Sequence, residues 1–196
     1  MNLDVLPIGK YEENSYVLHD NGHVVFVDPG RHADYIRKYV NDEMVDAILL
    51  THGHEDHTGA ADDLAEFYHC PLYISVKDRE LTDPSVSVSY GAPVYTPMQY
   101  YDRFVQTEGF RFRIYETPGH TEGSVCIRYK NILFTGDTLF AGSIGRTDLG
   151  SGNEAEMVHS LDFLKTLPVD LQVFPGHGPA STIGHEIATN IFMKEL

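Results

Sequence analysis

The segment THGHEDH, at positions 51–57, constrains the fold of this chain more than any other feature. It comes directly after 46–50, an apolar run that predicts a strand covered on both faces. Three imidazoles and two carboxylates within six residues are unfavourable in a core unless a partner compensates them. In open α/β sheets, binding sites lie at the carboxyl ends of the strands. We therefore expect this strand to end in a site where a ligand gathers these side chains.

The spacing within the segment suits a metal ion. His52 and His54 stand two residues apart, and in extended backbone such side chains point the same way. Asp56 and His57 follow as a second pair. Because imidazole nitrogen and carboxylate oxygen bind zinc-type ions at about 2 Å, this one loop offers up to four ligands.

Three later strand ends repeat the pattern. His120 follows the predicted strand 110–116, Asp137 follows 132–134 and His177 follows 172–174, each beside a glycine. A lone His or Asp in such a place is more often a hydrogen-bonded turn residue than a ligand. Five histidines and two aspartates at four strand ends favour a metal centre instead, with room for two adjacent cations that share one carboxylate.

The rest of the chain mixes predicted strands and helices. Strands are predicted at 3–8, 15–19, 23–27, 46–50, 72–76, 110–116, 124–129, 132–134 and 172–174, with a hairpin turn at Asn21-Gly22. Helices are predicted at 33–40, from 57 or 58 to 68, at 153–167 and at 182–194, whereas 83–101 contains three prolines and is predicted to be irregular. This mixture predicts an α/β (α+β) layered fold, and 196 residues fit a single domain, 1–196.

Composition excludes several classes of protein. The formal charge of −15, from 14 basic and 29 acidic residues, argues against a nucleic-acid partner, because neutralising phosphates needs clustered Lys and Arg. No apolar run approaches the roughly 18 residues of a membrane span, so we expect no membrane partner. Cys70 and Cys126 are the only cysteines and stand far apart, and the N-terminus lacks a signal-peptide pattern. These features predict a cytoplasmic location.

The His/Asp pattern resembles the motif set of the metallo-β-lactamase-fold hydrolases. The matching motifs are THGHEDH at 51–57, Gly119-His120, Gly136-Asp137 and Gly176-His177. The similarity runs from about residue 1 to about residue 182, nearly the whole chain. It implies a four-layer αββα sandwich, with the metals at one edge between the two sheets.

The resemblance also implies a ligand set. His52, His54 and His120 would bind a first metal, Asp56, His57 and His177 a second, and Asp137 would bridge both. Asp56 is the candidate catalytic residue, because it would also orient the water that the metals activate. We expect two divalent ions per chain and favour zinc, although His/Asp sites also accept iron and manganese.

Two stretches narrow the resemblance to a subfamily. FTGDTLFAGSIGRTD at 134–148 and PGHGPASTIG at 175–184 resemble the short glyoxalase II-like thioesterases. That similarity implies a small-molecule partner, an S-2-hydroxyacylglutathione or a related thioester. The acid at position 137 separates the chain from most β-lactamases, which usually have Cys there. The chain also ends before the helical domain with which full-length glyoxalase II enzymes bind glutathione.

The substrate-binding residues depart from the glyoxalase II pattern. Arg146 stands near the position of the family's Lys and is a candidate anchor for a substrate carboxylate, because Arg binds carboxylates in a bidentate way. The alternative for Arg146 is a structural salt bridge to Asp148. The family's two tyrosines have no counterpart, and two alternatives exist for the tyrosine-rich stretch 83–101. It either supplies a substitute wall or, as we favour, packs over the sheet edge.

Three rival functions remain. In a persulfide dioxygenase of the same fold, His52, His120 and Asp137 would bind a single iron, a ligand set that suits non-haem Fe(II). RNA-processing nucleases share the His-x-His-x-Asp-His loop, but the charge of −15 argues against RNA. A non-enzymatic role is disfavoured because all seven ligands are retained. The sequence leaves the oligomeric state open.

Overall fold

The computed structural model describes residues 1–86 and 88–194. Fourteen strands are found there. In chain order they are β1 Asn2–Ile8, β2 Glu13–Asp20, β3 His23–Val27, β4 Met44–Leu49, β5 Leu72–Ile74, β6 Met98–Tyr100, β7 Phe104–Gln106, β8 Arg111–Glu116, β9 Val125–Tyr129, β10 Ile132–Gly136, β11 Leu139–Phe140, β12 Ser143–Ile144, β13 Gln172–Pro175 and β14 Ser181–Thr182.

Twelve of these strands form two six-stranded sheets. The first sheet has the order β1-β2-β3-β4-β5-β6, antiparallel up to β3 and parallel from there on. The second has the order β14-β13-β10-β9-β8-β7, in which β10 and β13 are the parallel pair. Strands β11 and β12 form a separate hairpin. The two sheets thus differ in how many of their strand pairs are parallel, but both have strand ends from which loops extend.

Seven α-helices accompany the sheets in the described residues. They are α1 Ala33–Ile36, α2 Glu55–Thr58, α3 Ala61–Tyr68, α4 Arg79–Thr82, α5 Glu154–Leu164, α6 Ile183–Thr189 and α7 Ile191–Lys194, with 3₁₀ turns at Arg37–Tyr39 and Val76–Asp78. Side chains cap the two longer C-terminal helices, because Asn153 accepts from the Glu156 amide and Thr182 from the His185 amide. None of the described helices is long and apolar enough to cross a lipid bilayer.

Three apolar clusters separate four layers. Strand β3 shows how, because alternate side chains of a strand point to opposite faces. Val24 and Phe26 pack with Ile36 and Leu64 of the helices outside the first sheet. The other face of that sheet packs against the second sheet. The list of side chains between the sheets includes Val25, Val27, Leu49, Phe112, Ile127 and Phe134.

The second sheet covers its outer face in the same manner. Leu133 and Val173 pack there against Leu161 and Leu164 of α5. The order of layers is therefore helix, sheet, sheet, helix, which confirms the predicted αββα sandwich. The predicted Asn21-Gly22 turn is also confirmed: both residues have positive φ, at 51° and 81°, as a two-residue hairpin turn requires.

Several predicted boundaries were wrong. The helix predicted from 57 or 58 to 68 begins at Glu55 and is interrupted between Thr58 and Ala61. The closing helix predicted at 182–194 breaks at Asn190, whose side-chain amide donates to the backbone oxygens of Phe140 and Ser143. The strand predicted at 72–76 ends at 74 and a 3₁₀ turn follows, while 33–40 is part α-helix and part 3₁₀ turn.

Some short elements were not predicted. Strand β6 lies within 83–101, the stretch predicted to be irregular, and β7, α4, β14 and the β11–β12 hairpin were also missed. Strands β6 and β7 each have three residues and lie at sheet edges, so their sequences carry little alternation. Pairing orders them instead, for β6 with β5, which is distant in sequence, and for β7 with the next strand, β8.

Candidate metal centre

The ends of β4, β8, β10 and β13 meet at one edge of the sandwich. The loop after β4 belongs to the first sheet and the other three to the second, and the Val125 amide joins the sheets there by donating to the Thr51 carbonyl (2.9 Å). The seven side chains predicted from the sequence converge at this edge: His52, His54, Asp56, His57, His120, Asp137 and His177. Strand ends from two sheets therefore build one site, as the pattern indicated.

Three buried histidines form what we call the first cluster: His52, His54 and His120. One ring nitrogen of each lies within 4.8 Å of the others. His54 Nδ1 and His120 Nε2 are 2.9 Å apart. Since a folded protein brings imidazole nitrogens this close only where they share a proton or an ion, the spacing suits a cation-binding group.

The outer nitrogens of this cluster show which nitrogens face inward. His120 Nδ1 lies 2.7 Å from the Arg146 carbonyl, which only accepts, so Nδ1 carries the proton. Thr51 Oγ1 donates to Asp28 and lies 3.1 Å from His52 Nδ1, so it accepts from that nitrogen. Both rings therefore turn an unprotonated Nε2 inward. Metal-binding histidines are commonly oriented in this way, by a hydrogen bond from the other ring nitrogen.

A second cluster lies beside the first and consists of Asp56, His57 and His177. His57 Nδ1 is 2.9 Å from Asp28 Oδ2, and His177 Nδ1 is 3.0 Å from the Tyr11 carbonyl. Each ring thus also uses its outer nitrogen as a donor and presents Nε2 to the site. This cluster is less enclosed, because the side chains of Asp56 and His177 are 23% and 24% exposed.

Asp137 lies between the two clusters. Its Oδ2 is 3.5 Å from His120 Nε2 and 3.6 Å from His177 Nε2, while its Oδ1 is 3.4 Å from His57 Nε2. The carboxylate therefore reaches the first cluster through one residue and the second through two. This is the place that a bridging ligand requires.

The protonation of these groups follows from burial and from their neighbours. Burial and the adjacent imidazoles lower the pKa of His52 well below its usual value and that of His54 to about 4. Burial also lowers the pKa of His57, but the charges of Asp137 and Asp28 outweigh it and leave that pKa raised. For Asp137, burial raises the pKa, yet His57 and other imidazoles lower it overall. His52 and His54 are thus neutral at pH 7, whereas His57 and Asp137 favour their charged forms.

The residues present fit a divalent metal. Three inward-facing buried atoms have no hydrogen-bond partner within residues 1–86 and 88–194, namely His52 Nε2, His57 Nε2 and Asp137 Oδ1. Leaving buried polar atoms unsatisfied costs about 1–3 kcal/mol each. Cations coordinated by these lone pairs would remove that cost, and nitrogen and carboxylate donors in this number suit zinc, iron or manganese.

Asp28 belongs to the site although it lies in none of the His/Asp motifs of the sequence. Its Oδ1 accepts from the Thr51 amide (2.7 Å), and its Oδ2 accepts from Thr51 Oγ1 (2.6 Å) and His57. It is buried and has a φ of 49°, a value uncommon for a residue other than glycine. The signal available was its place at the end of β3, the neighbour of β4 in the sheet. Asp28 therefore holds the His57 ring directly and reaches the His52 ring only through the Thr51 hydroxyl.

A cavity of about 640 Å³ opens over the clusters. Its walls are mainly aromatic and apolar, and they include Tyr11, Tyr90, Phe140 and Leu149. Arg146 also lines it, but the guanidinium is paired with Asp148, with Nε to Oδ1 and Nη2 to Oδ2 both at 2.7 Å. The salt bridge expected as the alternative for Arg146 is therefore present, within the cavity wall.

The stretch 83–101 packs against the THGHEDH loop. The Tyr90 carbonyl accepts from the Glu55 amide (2.8 Å), and Gly91 forms a β-bridge with His54. The Tyr90 ring lies 6.2 Å from the His54 ring, at the cavity, whereas Tyr101 points inward and donates to the Leu50 carbonyl (3.0 Å). The described part of this stretch thus supplies the edge strand β6 of the first sheet and contributes Tyr90 to the cavity wall.

A family comparison identifies this arrangement. The model of the metallo-beta-lactamase superfamily matches residues 8–177, a span that contains all seven converging side chains. The chain belongs to the metallo-beta-lactamase superfamily. Among curated superfamily relatives, the hydroxyacylglutathione hydrolase GloC of Haemophilus influenzae is 32% identical over 210 residues, covering 99% of each chain.

Solved superfamily structures include several with the same fold over nearly the whole chain. The BLEG-1 B3 metallo-beta-lactamase has a TM-score of 0.90 at 33% identity, covering 98% of this chain and 99% of its own. TTHA1623 in a di-iron-bound form scores 0.83 at 31% identity, covering 96% and 99%. ETHE1 from Myxococcus xanthus scores 0.81 at 27% identity, covering 97% and 84%. A metallo-beta-lactamase and a hydroxyacylglutathione hydrolase are both named among these similar proteins, so the fold does not select the reaction.

Proposed function

We propose that this superfamily member is a binuclear metal-dependent hydrolase that cleaves thioesters of the S-2-hydroxyacylglutathione type. The observation that carries the proposal is the pair of His/Asp clusters joined by the Asp137 carboxylate. Full-length similarity to a protein named hydroxyacylglutathione hydrolase supports the substrate class. The charge of −15 supports a small molecule over a nucleic acid as partner.

The proposed ligand set follows the two clusters. His52, His54 and His120 hold one divalent ion, Asp56, His57 and His177 hold the other, and Asp137 contacts both. Divalent ions bound there would polarise the scissile carbonyl and lower the pKa of water to around 7. We favour zinc, while a di-iron-bound neighbour makes iron the first alternative.

Asp56 is the proposed catalytic residue, which orients the attacking water and accepts its proton. Burial raises the pKa of Asp56, but the hydrogen bond with His177 and the charge of His57 lower it overall, so the carboxylate is ionised at neutral pH. The side chain also lines the cavity, where a substrate carbonyl would lie. An ionised carboxylate within reach of the reacting water is what general-base catalysis needs.

The cavity wall would hold the two halves of the thioester. Tyr11, Tyr90 and Phe140 exclude water from the reacting carbonyl and pack against the substrate. Arg146 is the proposed anchor for a substrate carboxylate, because its pair with Asp148 uses Nε and Nη2 and leaves Nη1 outside that pair. Asp148 is exposed and can move aside when the anion arrives.

Metal analysis and substrate turnover test this proposal together. Protein purified without an affinity tag should contain two metals per chain and hydrolyse S-lactoylglutathione, with release of the free thiol. A single iron, with no second metal taken up on titration and oxygen consumed with glutathione persulfide, would instead establish the mononuclear dioxygenase. A β-lactam serves as the control substrate, because one structurally similar protein is named a metallo-beta-lactamase. Preference for the β-lactam over every thioester would overturn the substrate class.

A further inference from the structure

Asp78 is a buried carboxylate next to the metal centre that the proposed reaction does not use. It ends the 3₁₀ turn Val76–Asp78, which follows β5, and is 1% exposed. Three donors converge on it. Oδ2 accepts from the Gly53 amide (2.9 Å) and from Thr121 Oγ1 (2.7 Å), and Oδ1 accepts from the Gly123 amide (2.8 Å). A buried acid with this many donors is strongly fixed in place.

These donors belong to two separate loops. Gly53 lies between His52 and His54, in the loop that leaves the first sheet. Thr121 directly follows His120, in the loop that leaves β8 of the second sheet. Asp78 belongs to neither loop, yet its carboxylate ties both of them. All three histidines of the first cluster are thus adjacent in sequence to a group that Asp78 binds.

The packing around this carboxylate is as close as the hydrogen bonds suggest. A Cβ on Gly123 would lie 2.5 Å from Asp78 Cγ and 2.7 Å from its amide nitrogen. A Cβ on Gly53 would lie 2.7 Å from Leu81 Cβ and 3.2 Å from the Asp78 carbonyl. Glycine at both positions therefore lets the 76–82 segment press against the two loops, so the distance between them depends on this segment.

We propose that Asp78 is a positioning residue that sets the distance between the His52/His54 loop and His120, and thereby the metal affinity of the first cluster. The inference rests on the proposed function only in taking that cluster as a metal site. The hydrogen bonds of the Asp78 side chain go to groups next to the first-cluster histidines, whereas Asp56 and His57 lie three and four residues beyond Gly53 in the same loop and His177 lies in another loop. Its effect should accordingly fall on the first cluster.

The test is a metal titration of the apo protein against a competing chelator, with Zn²⁺ as the probe. Asp78→Asn keeps the shape of the side chain but turns an NH₂ group towards at least one of the donors. Loss of a residue that holds metal-binding side chains in place typically lowers metal affinity by about 10- to 100-fold, and we expect a loss in that range. Histidine-ring ¹⁵N NMR during the titration should assign the loss to His52, His54 and His120, with the shifts of His57 and His177 on saturation unchanged.

Variants at Thr121 and Thr82 separate positioning from stability. Thr121→Val removes one of the three donors and should give a smaller loss of affinity, which Thr121→Ser should restore. Thr82 is fully buried in the same segment and donates to the Arg79 carbonyl (3.1 Å), away from both loops. Thr82→Val should lower the melting temperature without changing the affinity.

The outcomes distinguish the two proposals. If Asp78→Asn and Thr121→Val lower the melting temperature but bind Zn²⁺ with the wild-type affinity at the first cluster, the positioning role is overturned and the proposed hydrolase stands. If the wild-type protein binds no metal, both proposals are overturned. Should Asp78→Asn fail to fold, Thr121→Val and its serine counterpart decide the question.

Discussion

The two clusters of the metal centre differ in how the chain prepares them. The first cluster consists of three buried imidazoles, of which His120 and His52 bind neutral groups through their outer nitrogens, the Arg146 carbonyl and the Thr51 hydroxyl. The second contains a carboxylate, is partly exposed, and has Asp28 behind His57. Burial therefore lowers the pKa values of His52 and His54, whereas carboxylates raise those of His57 and His177 against the effect of burial. His52 and His54 are ready to bind a cation at neutral pH, and His57 and His177 must first release protons.

The Asp137 carboxylate lies near histidines of both clusters, so its removal should affect both of them. We expect Asp137→Ala to remove tight metal binding at both clusters and to lower kcat/KM by about 1000-fold or more. This exceeds the loss of about 10- to 100-fold typical of a residue that only supports metal-binding side chains. Metal content after dialysis and thioester turnover, measured on one preparation, check this. A variant that keeps two metals and full turnover is incompatible with a bridging role.

Asp28 and Asp78 provide a matched pair for the two clusters. Asp28→Asn should impair mainly the second cluster, since the amide either loses the bond to His57 Nδ1 or forces the ring into the other tautomer. We expect about a 10- to 100-fold loss of affinity there, against a loss at the first cluster in Asp78→Asn. Zinc titrations with histidine-ring NMR measure both. Equal losses at both clusters in each variant would mean that the clusters are one thermodynamic unit.

Acid should empty the clusters in order. His57 and His177 have raised pKa values, so protons compete with the metal there as the pH falls, and affinity should drop by about tenfold per pH unit for each proton displaced. His52 and His54 have lowered pKa values, the latter to about 4, and stay neutral to lower pH. Metal content after equilibrium dialysis between pH 8 and pH 5 should therefore fall from two to one before it falls further. Loss of the first-cluster metal at the higher pH would reverse the comparison.

The sequence predicts the side chains that form both clusters but not the residues that support them. The seven converging side chains could be predicted because each follows a strand, and strand ends in layered folds meet at an edge. Asp28 and Asp78 could not, since neither lies in a His/Asp motif and Asp78 lies beyond a strand predicted to end at 76. Their roles depend on which loops approach them in space.

The same limit applies to the fold. Strands with buried faces, such as β3 and β4, were predicted nearly at their true boundaries, because a buried strand requires a run or an alternation of apolar residues. Edge strand β6 and the β11–β12 hairpin are short and partly exposed, so their sequences carry little pattern, and β6 depends on pairing with the distant strand β5. The break at Asn190 also involves a contact distant in sequence, because the Asn190 side-chain amide donates to backbone oxygens of the β11–β12 hairpin.

The smallest expected effect is at Arg146, which serves the first cluster and the cavity with different atoms. Its backbone carbonyl binds His120, and Arg146→Ala keeps that carbonyl, so metal content should not change. Its side chain lies in the cavity wall, exposed and paired with Asp148, and exposed pairs contribute little to stability. We expect a few-fold rise in KM for an anionic thioester with little change in kcat, because a remote anchor contributes uniform binding. A neutral thioester should show no rise, and Asp148→Ala, which frees the guanidinium, should lower KM for the anionic substrate. If Arg146→Ala leaves both KM values unchanged, the residue contributes to this site only through the carbonyl that orients His120.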